Sequence, residues 1–158
     1  MNLFPLTLLK KYNEKDMTQE EKKLVIKDLC GRLPYGVIVQ VNDGLKDTYD
    51  SQLVQVFCDR VSCSVSVCNP LRKCICIDSI KPYLRPMSSM TEEEHNEWFN
   101  YYHEIELKEV KLNGDYLKAA ILGESASIDW LNKKMFDYRG LIPKGLAIST
   151  EEFNPYNN

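Results

Sequence analysis

The chain has 158 residues, 44% hydrophobic and 27% charged, with a formal net charge of −3. That length suits one domain whose core needs no disulfide or metal staples, and the composition excludes wholesale disorder. The acidic balance provides no global field to attract nucleic acid or an anionic membrane.

Residues 1–16 read as an N-terminal appendage, an apolar start giving way to the charged stretch Lys10–Asp16. No basic region precedes the apolar run and no small-residue cleavage site follows it, so no signal peptide is expected and the chain is expected to be cytoplasmic. Thr18 and Glu21 form a T-x-x-E capping box, which predicts a helix running to about Cys30 and stopped by Gly31 and Pro34. Four β-like runs follow: Gly36–Val41, Leu53–Cys58, Val61–Val67 and Lys73–Ile77. In the third, Val61, Cys63, Val65 and Val67 alternate with Ser62, Ser64 and Ser66, the pattern of a strand with one wet face. Asn42-Asp43-Gly44 and Asn69-Pro70 mark turns.

Pro82 and Pro86 predict an irregular connector from Asp78 to Met90. Thr91 and Glu94 repeat the capping box, and the helix they open carries Trp98, Phe99 and Tyr102. Ile105–Leu112, followed by Asn113-Gly114, reads as a strand or hairpin. A last helix is expected from about Ser127, with Ile128, Leu131 and Met135 on one face and Gly140 and Pro143 at its end. Leu141–Ile148 is expected to be extended and residues 149–158 a loose tail. Together these elements predict an α+β protein with a single domain over residues 17–148. Its sheet is expected to be a small curved antiparallel sheet or barrel-like meander, flanked by three or so helices.

The segment Ile80–Glu94, IKPYLRPMSSMTEEE, resembles small proteins of gut Bacteroidales that are carried by prophages and mobile elements. Leu33–Gly36, Asp129–Asn132 and Phe136–Ile142 are similar to the same family. Members of that family begin at the equivalent of Met17, and the stretch 50–76 is richer in cysteine here. The resemblance implies a mobile-element origin. It implies no activity and no site residues.

Of the six cysteines, Cys58, Cys63, Cys68, Cys74 and Cys76 crowd one β-rich stretch, and Cys30 lies apart. Their spacings are C-x₄-C, C-x₄-C and C-x-C, without the C-x-x-C knuckle of zinc sites. Free thiols packed as small apolar groups are therefore expected, in preference to zinc on Cys63, Cys68, Cys74 and Cys76. No metal or cofactor is predicted. His95 and His103 lie near the aromatic helix, far in sequence from the cysteines, and no catalytic set is assigned.

The leading binding candidate is the proline-framed stretch presenting Lys81, Tyr83 and Arg85. Ser88 and Ser89 follow it, just before a helix N-terminus where an anion would be favoured. Arg139 is a weaker addition. The competing reading is a structural connector whose Tyr83 and Leu84 plug the end of the barrel. The expected function is that of a non-enzymatic binding or adaptor protein of phage or mobile-element origin. Its partner is a host protein or a small anionic, nucleotide-like ligand; in the second case it acts as a sponge against host defence signalling. A host-protein-binding inhibitor, a small enzyme, a nucleic-acid-binding small barrel and a homo-oligomer stay open as alternatives. No membrane partner is expected, and the acidic balance disfavours nucleic acid.

Overall fold

The structure, a computed structural model, describes residues 16–42, 47–58, 63–67 and 74–157. Three α-helices, α1 (Gln19–Arg32), α2 (Glu92–Asn113) and α3 (Tyr116–Lys133), accompany six strands. The strands are β1 (Ile38–Val41), β2 (Tyr49–Cys58), β3 (Cys63–Val67), β4 (Cys74–Cys76), β5 (Ile80–Leu84) and β6 (Ile148–Ser149). They form one open sheet in the order β4-β3-β2-β1-β5-β6. All pairs are antiparallel except β5–β6, which is parallel. The protein is thus α+β with a curved sheet, mixed rather than purely antiparallel and not closed into a barrel. A register shift between Leu53 and Gln55 is the kind of bulge that bends a strand.

Both capping boxes form. The Thr18 hydroxyl accepts from Glu21 N at 3.2 Å and the Glu21 carboxylate accepts from Thr18 N at 2.7 Å. Thr91 and Glu94 repeat the exchange, both at 3.2 Å. α1 lays Val25 and Leu29 on a sheet face built of Val37, Val39, Val41, Leu53, Val65, Val67, Ile75, Ile80 and Leu84, all buried. Asp28 and Arg32, one turn apart, are also fully buried. They share hydrogen bonds of 2.7 and 2.9 Å, and Arg32 Nη2 donates to the Phe136 carbonyl at 2.7 Å, tying α1 to the segment after α3.

Three expectations are corrected. The connector 78–90 contains a strand, β5, with Pro82 inside it. Asn42 N donates to Ser79 O at 2.8 Å, so hydrogen-bonded pairs fall at 42/79 and, two residues on, at 40/81. The Val39–Pro82 pair beside them exchanges no bonds, and the missing proline N–H takes nothing from β1. Second, Ile105–Leu112 is not a strand: α2 runs unbroken to Asn113, and α3 begins at Tyr116, well before Ser127. Asn113-Gly114 does turn the chain, but as the stop of a helix. Gly114, at φ 64°, donates its N–H to Val110 O, the left-handed cap that glycine adopts without strain. Third, the C-terminal segment is docked. The Tyr156 hydroxyl accepts from Ile38 N at 3.1 Å and donates to the Tyr83 carbonyl at 3.0 Å, and Pro155 is buried.

The appendage reading falls outside the described residues except for Asp16, as do the turn residues Asp43 and Gly44 and the Asn69-Pro70 turn. No helix among the described residues is long and apolar enough to cross a membrane.

Candidate functional site

Lys81, Tyr83 and Arg85 follow the two-residue period of an extended chain and share one face of it. Their surroundings separate them chemically. Lys81 lies opposite Gln40 in the sheet. Tyr83 is 4% exposed; its hydroxyl donates to Asp50 Oδ1 at 2.8 Å and accepts from Gln40 Nε2 at 3.1 Å. Burial, followed by the Asp50 carboxylate that accepts its proton, pushes the Tyr83 phenol up to about 12. Phe153 meets its ring edge-on.

Arg85 grips Glu94 with two bonds of 2.7 and 2.8 Å and donates to the Ser89 carbonyl at 3.2 Å. Its guanidinium also lies 4.2 Å from the Phe136 ring centroid. The Ser89 hydroxyl donates to Pro86 O, and Ser88 is exposed. The N-terminus of α2 already holds an anion of its own, since Glu94 accepts from Thr91 N and carries Arg85. Glu92 and Glu93 add two further carboxylates in the same turn. Arg139 belongs elsewhere: its Nε lies 3.4 Å from Asp28 Oδ1, and its guanidinium stacks over Tyr138 at 4.7 Å. The expected cations do not converge on one point. Beside Tyr83 the sheet carries a shallow open depression of about 320 Å³, lined by Gly36, Ile38, Asp50, Ser51, Gln52, Phe153 and Pro155. Its charged lining group is an acid, Asp50, which opposes an anionic guest.

Among the described residues no three His, Cys, Asp or Glu side chains converge on a point where they could hold a metal ion. Cys68 lies outside the described residues. Cys30, Cys58 and Cys76 are exposed thiols rather than packed in the core, and the Cys76 thiol donates to Asp78 Oδ2 at 3.3 Å. His95 meets the edge of Trp98, and His103 sits among Phe99, Tyr102 and Glu106.

The second candidate is the α2–α3 hairpin, which the sequence reading missed because it broke both helices too short. At 22 and 18 residues the helices are roughly 33 and 27 Å long. With 3.6 residues per turn, Ala119, Gly123, Ala126 and Trp130 fall on one line of α3, and all four are buried. A Cβ on Gly123 would stand 2.9 Å from Tyr102 Cε2, so the helices meet there at the closest approach glycine allows. Trp98 Nε1 donates to Ser127 Oγ at 2.6 Å, Trp130 Nε1 to Glu97 at 3.2 Å, and Lys118 pairs with Glu109 at 2.7 Å.

The opposite line of α3 carries Leu117, Ile121, Glu124 and Ile128. Leu117 is 74% exposed, Ile121 58% and Ile128 43%, with Tyr116 exposed beside them. Asn132, on the same line one turn further, is buried and faces Gly31 of α1. Among the described residues, α1 covers the C-terminal end of this face and the rest is exposed. On α2 no described side chain is fully buried, and Phe99 and Leu107 are exposed. The signal available in the sequence was the double stripe, 119/123/126/130 against 117/121/128, both at helical spacing. Compared with known proteins, the chain matches no family model, no curated protein and no solved structure.

Proposed function

We propose that the chain is a non-enzymatic binding or adaptor protein, of the mobile-element origin that the segment resemblance implies, and that it engages a protein partner through the outer face of the α2–α3 hairpin. One observation carries this reading: α3 carries rows of apolar residues on two opposite faces, and among the described residues only one of these rows is covered along most of the helix. Leu117, Ile121 and Ile128 place a row of exposed apolar side chains on the other face, and apolar surface larger than a monomer ordinarily exposes marks an interaction surface. The small-anion reading has less support, because Arg85 is already bound to Glu94, Arg139 lies beside Asp28, and Asp50 lines the depression.

Site-specific photocrosslinking in cells tests the proposal. A photoreactive residue at Ile121 or Ile128 is expected to give a discrete adduct with another protein. The same residue at the exposed positions Lys23 and Lys144 is expected to give none. Equal yields from all four positions, or no adduct from the hairpin, would overturn it.

A further inference from the structure

The face of the sheet turned away from α1 carries Ile38, Asp50 and Gln52, out of phase with the buried Val37, Val39 and Leu53. The C-terminal segment lies along this face. Hydrogen-bonded pairs of β1 and β5 fall at 42/79 and 40/81, so the next in the ladder is 38/83. There the Tyr156 hydroxyl stands between the strands. It accepts from Ile38 N at 3.1 Å and donates to Tyr83 O at 3.0 Å, in the place of a direct backbone bond. This key fixes the segment, and Phe153 and Pro155 line the depression together with Ile38, Asp50 and Gln52.

We infer that this depression binds an organic cation bearing N–H donors, an ammonium or a guanidinium; the site is separate from the hairpin and does not depend on it. Asp50 is the charged group in the lining, and it is exposed. Its Oδ1 accepts from the buried Tyr83 hydroxyl at 2.8 Å. That neutral donor aims the carboxylate without cancelling its charge, and no Lys or Arg among the described residues pairs with it. Oδ2 is left to accept from a guest. Lys81 stands beyond Gln40 in the row Asp50–Gln40–Lys81 and does not line the depression. Phe153, 52% exposed, adds an aromatic ring to the lining, and a cation within about 6 Å of such a ring is drawn to its face. At about 320 Å³ the depression is at the small end of ligand sites, a size for one cationic head and a short methylene stem. Free amines share that chemistry with the Lys and Arg side chains of a peptide, and the assay separates the two sources.

The test titrates the ¹⁵N-labelled full chain with butylamine, butylguanidinium, a capped tripeptide centred on lysine, and tetramethylammonium, at constant ionic strength. Saturable shifts of the Asp50, Gln52 and Phe153 amides are expected at roughly millimolar ligand, as suits an exposed site built on one carboxylate and one ring. Tetramethylammonium, which has no N–H to donate, is expected to bind about fivefold more weakly than butylamine. Asp50→Asn keeps an oxygen for the Tyr83 hydroxyl and is expected to weaken butylamine binding about fivefold; Phe153→Leu is expected to weaken it about threefold. Asp47→Asn, which removes an exposed acid outside the lining, leaves it unchanged. Circular dichroism confirms that each variant is folded, and all three positions are exposed. Tighter binding of the tripeptide assigns the guest to a protein side chain, and tighter binding of the free amines to a small molecule; both support the site. Shifts that do not saturate, an equal loss from Asp47→Asn, or tetramethylammonium binding as tightly as butylamine would overturn the inference.

Discussion

Arg85 closes a two-bond fork on Glu94, at 2.7 and 2.8 Å, across the junction between β5 and the first turn of α2. The same guanidinium covers the Phe136 ring, so one side chain joins the sheet, the root of the hairpin and the segment after α3. The side chain expected to greet a ligand instead fixes the base of the proposed binding element.

Replacing Arg85 with Ala is therefore expected to destabilise the fold by about 2 kcal/mol, the scale for truncating a partly buried charge-assisted pair. Urea unfolding measures this. The Arg85 hydrogen bonds hold the Glu94 carboxyl below its ordinary value of 4.5. A depressed carboxyl contributes stability above its unfolded pKa and loses it as pH falls through the folded one. The difference between wild type and Glu94→Gln is expected to be full at neutral pH and to shrink on acidification below 4.5. A difference that does not change with pH would show that the pair contributes through packing alone.

Gly123 and Tyr102 form a second tight contact. An exposed helical Gly→Ala change gains about 1 kcal/mol. Here the added Cβ would stand 2.9 Å from the Tyr102 ring, so Gly123→Ala is expected to lower the Tm. In a Tyr102→Leu background the same substitution is expected to be neutral or stabilising, a non-additivity that a double-mutant cycle reads directly.

Asp28 answers Arg32 through two hydrogen bonds and lies 3.4 Å from Arg139 Nε, with its own side chain fully buried. Asp28→Ala leaves a buried guanidinium without its counter-charge, for an expected loss of about 3–5 kcal/mol. The paired apolar replacement Asp28→Leu with Arg32→Met is expected to recover part of that loss in urea unfolding, because the Asp28 and Arg32 charges leave together, while Arg139 Nε still loses the carboxylate 3.4 Å away.

Tyr83 and Tyr156 both have phenols pushed up to about 12, chiefly by burial. Their raised pKa values favour the fold below the ordinary phenol value of 10, and that contribution is lost as pH rises towards 12. Ultraviolet titration is expected to show two phenols ionising only near pH 12, with Tyr83→Phe and Tyr156→Phe each removing one. Tyr156→Phe is also expected to cost about 1–2 kcal/mol, because Ile38 N loses its acceptor. No loss of stability would return residues 149–158 to the loose tail first expected of them.

Local chemistry in the sequence was enough to determine the α+β class, the two capping boxes and four of the six strands. Thr18 and Glu21, Thr91 and Glu94, and the alternation through Val65 and Val67 act over a few residues, so the chain specifies them wherever it folds. Pro82 misled because its effect depends on which way its missing N–H faces, and that is set by pairing with β1, some forty residues away in sequence. Arg85 misled for the same reason: a cation looks available until its neighbour in space is known, and Glu94 meets it only once β5 and α2 are placed together. The length of α2 and α3 was decided by their contact, with Tyr102 against Gly123, since residues of middling helix propensity such as Ile105 and Tyr116 take their conformation from the surface they bury. The open face of α3 was likewise beyond local reading. Leu117, Ile121 and Ile128 have the same apolar character as Leu29 or Leu84 in the core, and only the tertiary arrangement of the described residues, with α1 reaching no further than Asn132, leaves them exposed.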